Sequence, residues 1–587
     1  MTKDRRSLED FRLNRESFVK SYVGRHYGRG GPRYDRIINM MFQAADIYTM
    51  SLAANRPRVL VNSYNGSLKS FGKRYQLAVN NYIKTMGIEE VLEGCCLDAF
   101  FSLGIAKVHL ADSHIIEIDA NTRVDPGKPW VKRISLDDWC HDTSVKEWFE
   151  CGYMADGYQV PYDRLQDDLY DQKVAEQLSP GGHNPYGGEG STRVEGLTKG
   201  YEDYNQDNFE EMVDLVDVWF PREKVIVTWG LDMAGTRWEL KNTDPLIIQD
   251  WDGPESVEAS VSGPYHIVGF SDVPDNTMAL SPAMNLCVLD DLANGLFRKL
   301  DRQARRQKTY HIFKGTAEED AKRQRKVADG EMIKVADPDA VREVSVGGVD
   351  QGNLAFTQVV RDTFDRMAGN LPAMGGLGTS ADTVGQEKMI GGQISKREAK
   401  MQYRMVRFTT GVIKSLGHLI FYDPVLEIPG EVGVPGTNIS TDASWTPEMR
   451  EGDFLNYNFE IEPYSMAYKP PAQRAQDIQQ FVANSILPML PNLEAQGGSF
   501  DLKAFLEWMA ELMDEPRLLE LIKFQGLMPD ERPVSGNMPD KARQAPHTVR
   551  ENVRSNVSHG PTSQAQTRDL VQQFMNSRSP QQQTGAA

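Results

Sequence analysis

Residues 386–422 carry the strongest periodic signal in this sequence, and it constrains the fold more than any short motif does. At 100° per residue, Ile390, Ile394, Met401, Met405, Phe408, Val412, Leu416 and Leu419 fall within one arc of about 80°. Lys396, Lys400, Arg404, Arg407 and Lys414 fall within a second arc, centred about 110° away. Between 388 and 414 stand seven basic residues, with Lys388 and Arg397 among them, and one acid, Glu398. The pattern predicts a long helix that packs one side on a core and turns cations outward. It stops before Pro424, which cannot continue a helix. Gly391, Gly392, Gly411 and Gly417 weaken it by roughly 1 kcal/mol each relative to Ala. Two readings of the cations stay open. They contact the phosphates of a polyanion, which needs no sequence preference, or they pair with the acidic surface of a neighbouring element.

The cluster reverses the sign of the chain as a whole. Lys and Arg number 65 and Asp and Glu 83, a formal charge of −18. An acidic balance argues against a dedicated nucleic-acid coat, though it leaves room for a local basic patch. A hydrophobic fraction of 40% and a charged fraction of 25% exclude wholesale disorder, collagen and a coiled-coil rod. The 587 residues suggest about four domains. Cys95, Cys96, Cys140, Cys151 and Cys287 are odd in number and contain no C-x-x-C. They read as small buried hydrophobes in a reducing compartment, with no disulfide framework and no metal site. The charged start lacks the apolar run of a signal peptide, and no uncharged apolar run reaches the roughly 18 residues of a membrane span. A soluble intracellular protein without a membrane partner is expected.

Along the chain, residues 1–55 read as helices, with Tyr34, Ile37, Ile38, Met41 and Ala45 at helical spacing. A short strand at Val59–Val61 and helices at 68–86 and 88–103 follow, the second ended by Gly104 as a capping glycine. Strands are expected at 105–110, 115–118 and 131–135, and a strand pair at 213–220 and 224–229. Ser281-Pro282 opens a helix to about Lys308, roughly 28 residues or about 42 Å long. Leu286, Leu289, Ala293, Leu296 and Leu300 make a 3,4-spaced stripe on it. That helix ends basic, with Arg298, Lys299, Arg302, Arg305, Arg306 and Lys308 against Asp301. A compact segment at 310–350 holds a short helix (317–327) and strands at 331–335 and 342–346. A helix at 351–368 places Phe356, Val360, Phe364 and Met367 on one face. Gly375, Gly376, Gly378 and Gly385 then punctuate a loop. Residues 425–470 read as short strands, 471–525 as helices, and 526–587 as a low-complexity tail. The fold class is α+β, mainly helical.

A search for catalytic chemistry returns little. Gly66–Arg74 has five residues between its glycines where a P-loop needs four, and Arg74 stands where a Ser or Thr would hold magnesium. It reads as a helix start with surface lysines. No H-E-x-x-H or G-x-S-x-G occurs. The acidic pairs Asp137-Asp138, Asp290-Asp291 and Glu318-Glu319 read as solvated charge, since adjacent residues do not face one another.

The order of elements carries more. A helix opens with Leu280-Ser281-Pro282 and runs through Leu292-Ala293-Asn294-Gly295-Leu296-Phe297-Arg298-Lys299-Leu300. A small α/β insert follows. A second helix, Val359-Val360-Arg361-Asp362-Thr363-Phe364, leads to Ala368-Gly369-Asn370-Leu371-Pro372, a Gly-rich loop and the long helix from Gln386-Glu387-Lys388. Over about residues 10–525 this resembles the portal proteins of tailed bacteriophages, as do the upstream strands around Val216–Pro221.

The resemblance implies a ring, usually of twelve copies, at one capsid vertex of a virion assembled in the host cytoplasm. Double-stranded DNA passes through its channel without sequence recognition. Residues 1–280 and 423–470 would form the wing, and 281–309 and 351–370 the two stem helices, with the stripe from Leu286 to Leu300 packing between neighbouring subunits. Residues 310–350 would form the clip, which docks the large terminase and then a head–tail adaptor, with Glu318, Glu319, Lys322, Arg323, Arg325 and Lys326 as docking candidates. Residues 371–385 would form the channel loop, with Met374, Gly375, Gly376, Leu377, Gly378, Thr379 and Ser380 nearest DNA. The helix 386–422 would lie behind it, with Lys388, Lys396, Lys400, Arg404, Arg407 and Lys414 facing DNA or a neighbouring subunit. Residues 471–525 would form the crown, and 526–587 have no counterpart. Major capsid and scaffolding proteins are further implied partners. The family is not an enzyme and takes no cofactor or metal; the terminase hydrolyses ATP. Two other readings stay open: another phage assembly protein, such as a scaffold or tail-hub component, and a metal-dependent nuclease or hydrolase built on dispersed carboxylates.

Overall fold

The N-terminal third is laid down as helix pairs that each bury one stripe. In a computed structural model, the described residues are 1–24, 37–63, 65–111, 116–119, 122–124, 127–166, 170–178, 211–232, 238–241, 244–251, 253–254, 263–316, 318–324, 326, 328, 332, 334, 341–369, 371, 384–433, 440–442, 444–462 and 465–466. For 116–119, 122–124, 384–398, 431–433 and 440–442 the backbone alone is described. These residues belong to one unit, Met1–Gly433 with Ser440–Tyr468. The expectations for 471–525 and 526–587 lie outside them.

Helices α1 (Thr2–Ser7), α2 (Glu9–Val23) and α3 (Met40–Ala53) come first. Ile37 and Ile38 precede α3 and are not part of it, because Asn39 caps it, accepting from the Phe42 N–H at 2.9 Å. Tyr34 lies outside the described residues. Strand β1 (Val59–Ser63) leads to α4 (Lys69–Met86) and α5 (Ile88–Phe101). Lys69, Lys73 and Arg74 are exposed on the first turns of α4, as a helix start with surface cations requires. Gly87 joins the two helices at φ +68°, a left-handed position that glycine takes without strain, and its N–H reaches Ile83 O.

Gly104 does not cap α5. It opens strand β2 (Gly104–Ala111), and a Cβ there would stand 2.1 Å from the Cys95 carbonyl oxygen. The glycine serves a close helix–strand approach and not a left-handed turn. Strands β3 (Ile116–Asp119), β4 (Thr122–Val124), β5 (Lys128–Ile134), β6 (Trp139–His141) and β7 (Met154–Pro161) follow, then the short helix α6 (Gln172–Ala175). Next come β8 (Met212–Phe220), β9 (Val225–Asp232), β10 (Glu239–Leu240), β11 (Ile247–Asp250) and β12 (Tyr265–Val268). One sheet has the order β12-β2-β5. A larger one has the order β10-β9-β8-β7-β6, with β11 also on β9.

Strand β2 is covered on both faces, so its alternation separates two cores rather than core and solvent. Ala106 and Val108 join the main core under α5, while Ile105 turns to a second core with Trp139, Met154, Trp219 and Tyr265. Lys107 shares the parity of Ile105 and so enters the space between the sheets.

The remaining helices are α7 (Pro282–Arg305), α8 (Glu318–Gln324), α9 (Gln351–Met367) and α10 (Val384–Tyr422). Strands β13 (Lys308–Phe313) and β14 (Val341–Val346) lie between α7 and α9 and pair with each other. The helix α7 ends short of the expected Lys308 because Lys308 starts a strand the sequence did not announce. Of the expected strand at 331–335, only Met332 and Lys334 are described, and neither is in a strand. Strands β15 (Glu431–Gly433) and β16 (Ser440–Asp442) pair locally, while β17 (Tyr457–Ile461) returns to pair antiparallel with β1.

All five cysteines are buried and none forms a disulfide. Two of the acidic pairs depart from the expected solvated charge. Asp137 is buried and paired with Arg15 at 3.1 Å. Asp290 is fully buried beside Asn294. Each carboxylate pairs with a side chain distant in sequence or one turn on, and not with its sequence neighbour.

Candidate assembly and nucleic-acid interface

Helix α7 begins where the sequence places it. Ser281 Oγ accepts from the Met284 N–H at 3.1 Å, and Pro282 occupies the first turn, where its missing N–H costs nothing. Its 3,4-spaced stripe does not face outward to another subunit. Leu286 and Ala293 are buried in the unit's own main core, Leu289 and Leu296 pack against it, and Leu300 is buried as well. The stripe is taken by α2, α3, α5 and α9 of the same chain. Asn294, on that face, accepts from the N–H groups of Ile37 and Ile38 and donates to Ile38 O. Losing these partners in Asn294→Leu is expected to cost about 2 kcal/mol, through orphaned buried amides; thermal unfolding would measure it.

What α7 turns outward is a second apolar stripe. Met284, Val288 and Leu292 recur every four residues on the opposite side and are exposed, Val288 by 69%. Helix α9 repeats the arrangement. Asp350 caps it, accepting from the Gly352 N–H, and Thr357, Val360 and Phe364 are buried. Phe356 and Met367, expected on that buried face, are exposed instead, together with Leu354 and Val359. The buried face follows Thr357, Val360, Phe364 and Ala368, whose centre lies to one side of Val360 and leaves Phe356 and Met367 at its opposite margin.

The far end of the pair is tied by Lys299 Nζ to Asn353 Oδ1 at 2.9 Å and by the Asp350 N–H to Gln303 Oε1 at 3.3 Å. There Lys299, Arg302, Arg306 and Lys308 are exposed, while Arg305 is held by Asp301 at 2.9 Å. The two-stranded sheet beyond them is exposed along the whole of β13, with Ile312 at 56%. On α8, Lys322 pairs with Glu318 at 2.6 Å and Arg323 lies 4.0 Å from Glu319, one helical turn apart and exposed. Lys326 is exposed and Arg325 lies outside the described residues.

Helix α10 buries its apolar arc as the periodicity predicts. Met401, Met405, Phe408, Val412 and Leu416 are buried, and Leu419 packs against the same core. Ile413, Ile420 and Phe421 are buried too, so the apolar face widens toward the C-terminal end. The basic arc divides. Lys400 is exposed. Arg404 grips Asp272 with both terminal nitrogens, at 2.8 and 2.5 Å, and donates to Gly269 O at 2.8 Å. Of the two readings of this side chain, pairing with a neighbouring acidic element holds. Arg407 is exposed and Lys414 is half-buried, and burial lowers the Lys414 pKa. The side chains of Ile390, Ile394, Lys388 and Lys396, and all of Met374, Gly375, Gly376, Leu377, Gly378, Thr379 and Ser380, lie outside the described residues. Because Asp272 is exposed, Arg404→Gln is expected to cost no more than about 1 kcal/mol. Thermal unfolding would measure it.

Two buried charge clusters were not singled out in the sequence. Lys107 Nζ lies 2.6 Å from Asp156 Oδ1 and 2.6 Å from Asp217 Oδ2. Asp156 and Asp217 face each other across β7 and β8. Tyr265 donates to Asp156, and Tyr158 and Thr228 donate to Asp217. Burial opposes both charges, but the ion pairs outweigh it, raising the Lys107 pKa and holding Asp217 below its usual value. Near the N-terminus, Arg15 bridges Asp98 and Asp137, while Arg5 and Arg12 donate to the carbonyls of residues 136–139. Both clusters join elements distant in sequence and position the scaffold. The signal available for the first was an Asp in an apolar strand, Val216-Asp217-Val218-Trp219.

No helix of the described residues is long and apolar enough to cross a membrane. No family model matches the chain, and no curated protein matches it. Among solved structures it is similar to a chain of the virion of native gene transfer agent (GTA) particle. The two are 11% identical, the match covers 83% of this chain and 93% of that one, and the TM-score is 0.34.

Proposed function

We propose that this chain is a portal-type subunit, built to join copies of itself into a ring through which double-stranded DNA passes. The observation that carries the reading is the pair α7 and α9, each apolar on two sides. The inner sides are filled by the chain's own core, and the outer sides present Val288 and Val359 to solvent. A contiguous exposed apolar face on a long helix pair marks an interaction surface. The element order of helix, α/β insert, helix, loop and long helix supports a portal arrangement, with 281–309 and 351–370 as stem and 310–350 as clip.

The exposed cations at the far end of α7 give the nonspecific phosphate attraction a conduit needs, within a chain of net charge −18 that limits retention. Lys400 and Arg407, both exposed, remain candidates for the channel or a subunit contact, and Arg404 leaves that list. The large terminase, a head–tail adaptor, capsid and scaffolding proteins are the proposed partners, in a virion. The chain itself supplies no turnover.

The test is assembly. Negative-stain images of the purified chain should show closed rings with a central hole. The double variant Val288→Asp, Val359→Asp should remain monomeric, with its melting temperature close to that of unassembled wild-type chain because both positions are exposed. Monomers from the wild-type chain under assembly conditions, or rings from the variant, would overturn the reading.

A further inference from the structure

Strands β13 and β14 form a two-stranded ribbon, and among the described residues neither pairs with any other strand. Each strand of such a ribbon keeps an outward row of N–H and C=O groups. A lone ribbon is marginal in water, and an exposed apolar edge recruits another strand unless proline, a bulge or an inward charge blunts it. Strand β13 reads Lys-Thr-Tyr-His-Ile-Phe, without proline, glycine or acid, and all six residues are exposed. Tyr310, Ile312, Phe313 and Val346 add apolar surface that the unit leaves open.

We propose that the outer edge of β13 in one copy pairs with the outer edge of β14 in the next, closing the ribbons of the ring into one β-barrel. This rests on the ring reading and adds which edges meet. The two edges left unpaired among the described residues are unlike, so their union is head-to-tail, the kind of contact that closes into a ring when the rotation between copies allows. Turning by about 30° per copy, as in a twelve-membered ring, barely changes strand direction. The up–down alternation of β13 and β14 therefore continues antiparallel from copy to copy. The edges also continue a surface already assigned to copy contacts, since β13 follows α7 directly and β14 precedes α9. Closure removes every free edge, which an added strand from another protein would not do.

Hydrogen exchange at single-amide resolution tests it on the unsubstituted chain. In purified rings, every amide of Thr309–Ile312 and Arg342–Ser345 should exchange more than about tenfold slower than in Val288→Asp, Val359→Asp monomers. Rings in which alternate amides of both strands exchange at the monomer rate would overturn the strand pairing and leave the ring reading standing. Protection that appears only when a second protein is added overturns it too. Absence of rings overturns both.

Discussion

Replacing Lys107 with Met should destabilise the subunit by about 3–5 kcal/mol, the cost of breaking a buried ion pair from one side. Lys107 lies 2.6 Å from both Asp156 and Asp217 and, among the described residues, is the cation that balances them. Met fills the same channel of space between the sheets but leaves two facing carboxylates without a counter-charge. Tyr265, Tyr158 and Thr228 still donate to them, yet three hydroxyls do not offset two like charges at one cross-strand position. The companion measurement separates charge from packing. Lys107→Met with Asp156→Asn and Asp217→Asn removes all three charges, and calorimetry should return much of the lost stability. A triple variant no more stable than Lys107→Met would show that packing between the sheets, and not pairing, sets the cost.

Acid should weaken the unit well above the range where carboxylates titrate. Burial lowers the pKa of His109, His141 and His266 to about 4 each, with Lys107 and Lys132 adding to the effect at His109. His141 sits between the Trp139 Nε1–H and Thr277, and His266 contacts Ser415 on α10. In the unfolded chain these rings take protons near 6.5. Between pH 6.5 and 4 the unfolded state therefore binds more protons, so stability rises with pH across that window. It is complete above 6.5, is lost as pH falls, and levels off for these groups below 4. At about 1.4 kcal/mol per unit, each ring contributes on the order of 3 kcal/mol at full development. Melting temperature against pH should be flat from 7 to 8 and steep from 6 to 4.5, and His266→Gln should flatten the slope by roughly a third. A profile that falls only below pH 4 would assign acid sensitivity to carboxylates instead.

Much of the scaffold was legible because local signals agreed with the tertiary result. The Ser281-Pro282 start, the strand pair around Val216 and Trp229, and the apolar arc from Met401 to Leu419 all appear where propensity and period put them. Errors arose where distance in sequence hides the partner. Gly104 looked like a cap because its real neighbour, the Cys95 carbonyl, is a packing contact. The stripe from Leu286 to Leu300 announced a buried face, but periodicity does not say whether the same chain or another covers it. Arg404 was one of five cations on an arc, and only the fold brings Asp272 to it. The strand Lys308–Phe313 was hidden because its basic start continues the helical charge pattern of α7.

The pairing of β1 with β17 sets a schedule for making the protein. Val59 is partnered by Ile461, roughly four hundred residues later. At about 5–20 residues per second, strand Val59–Ser63 waits on the order of 20–80 s on the ribosome for its mate. The helices α3, α4 and α5 can gather meanwhile, but α10 and β17, which complete their core, arrive last. Each nascent chain thus keeps this core open until Ile461 has emerged, so half-made copies on a crowded polysome expose it to one another.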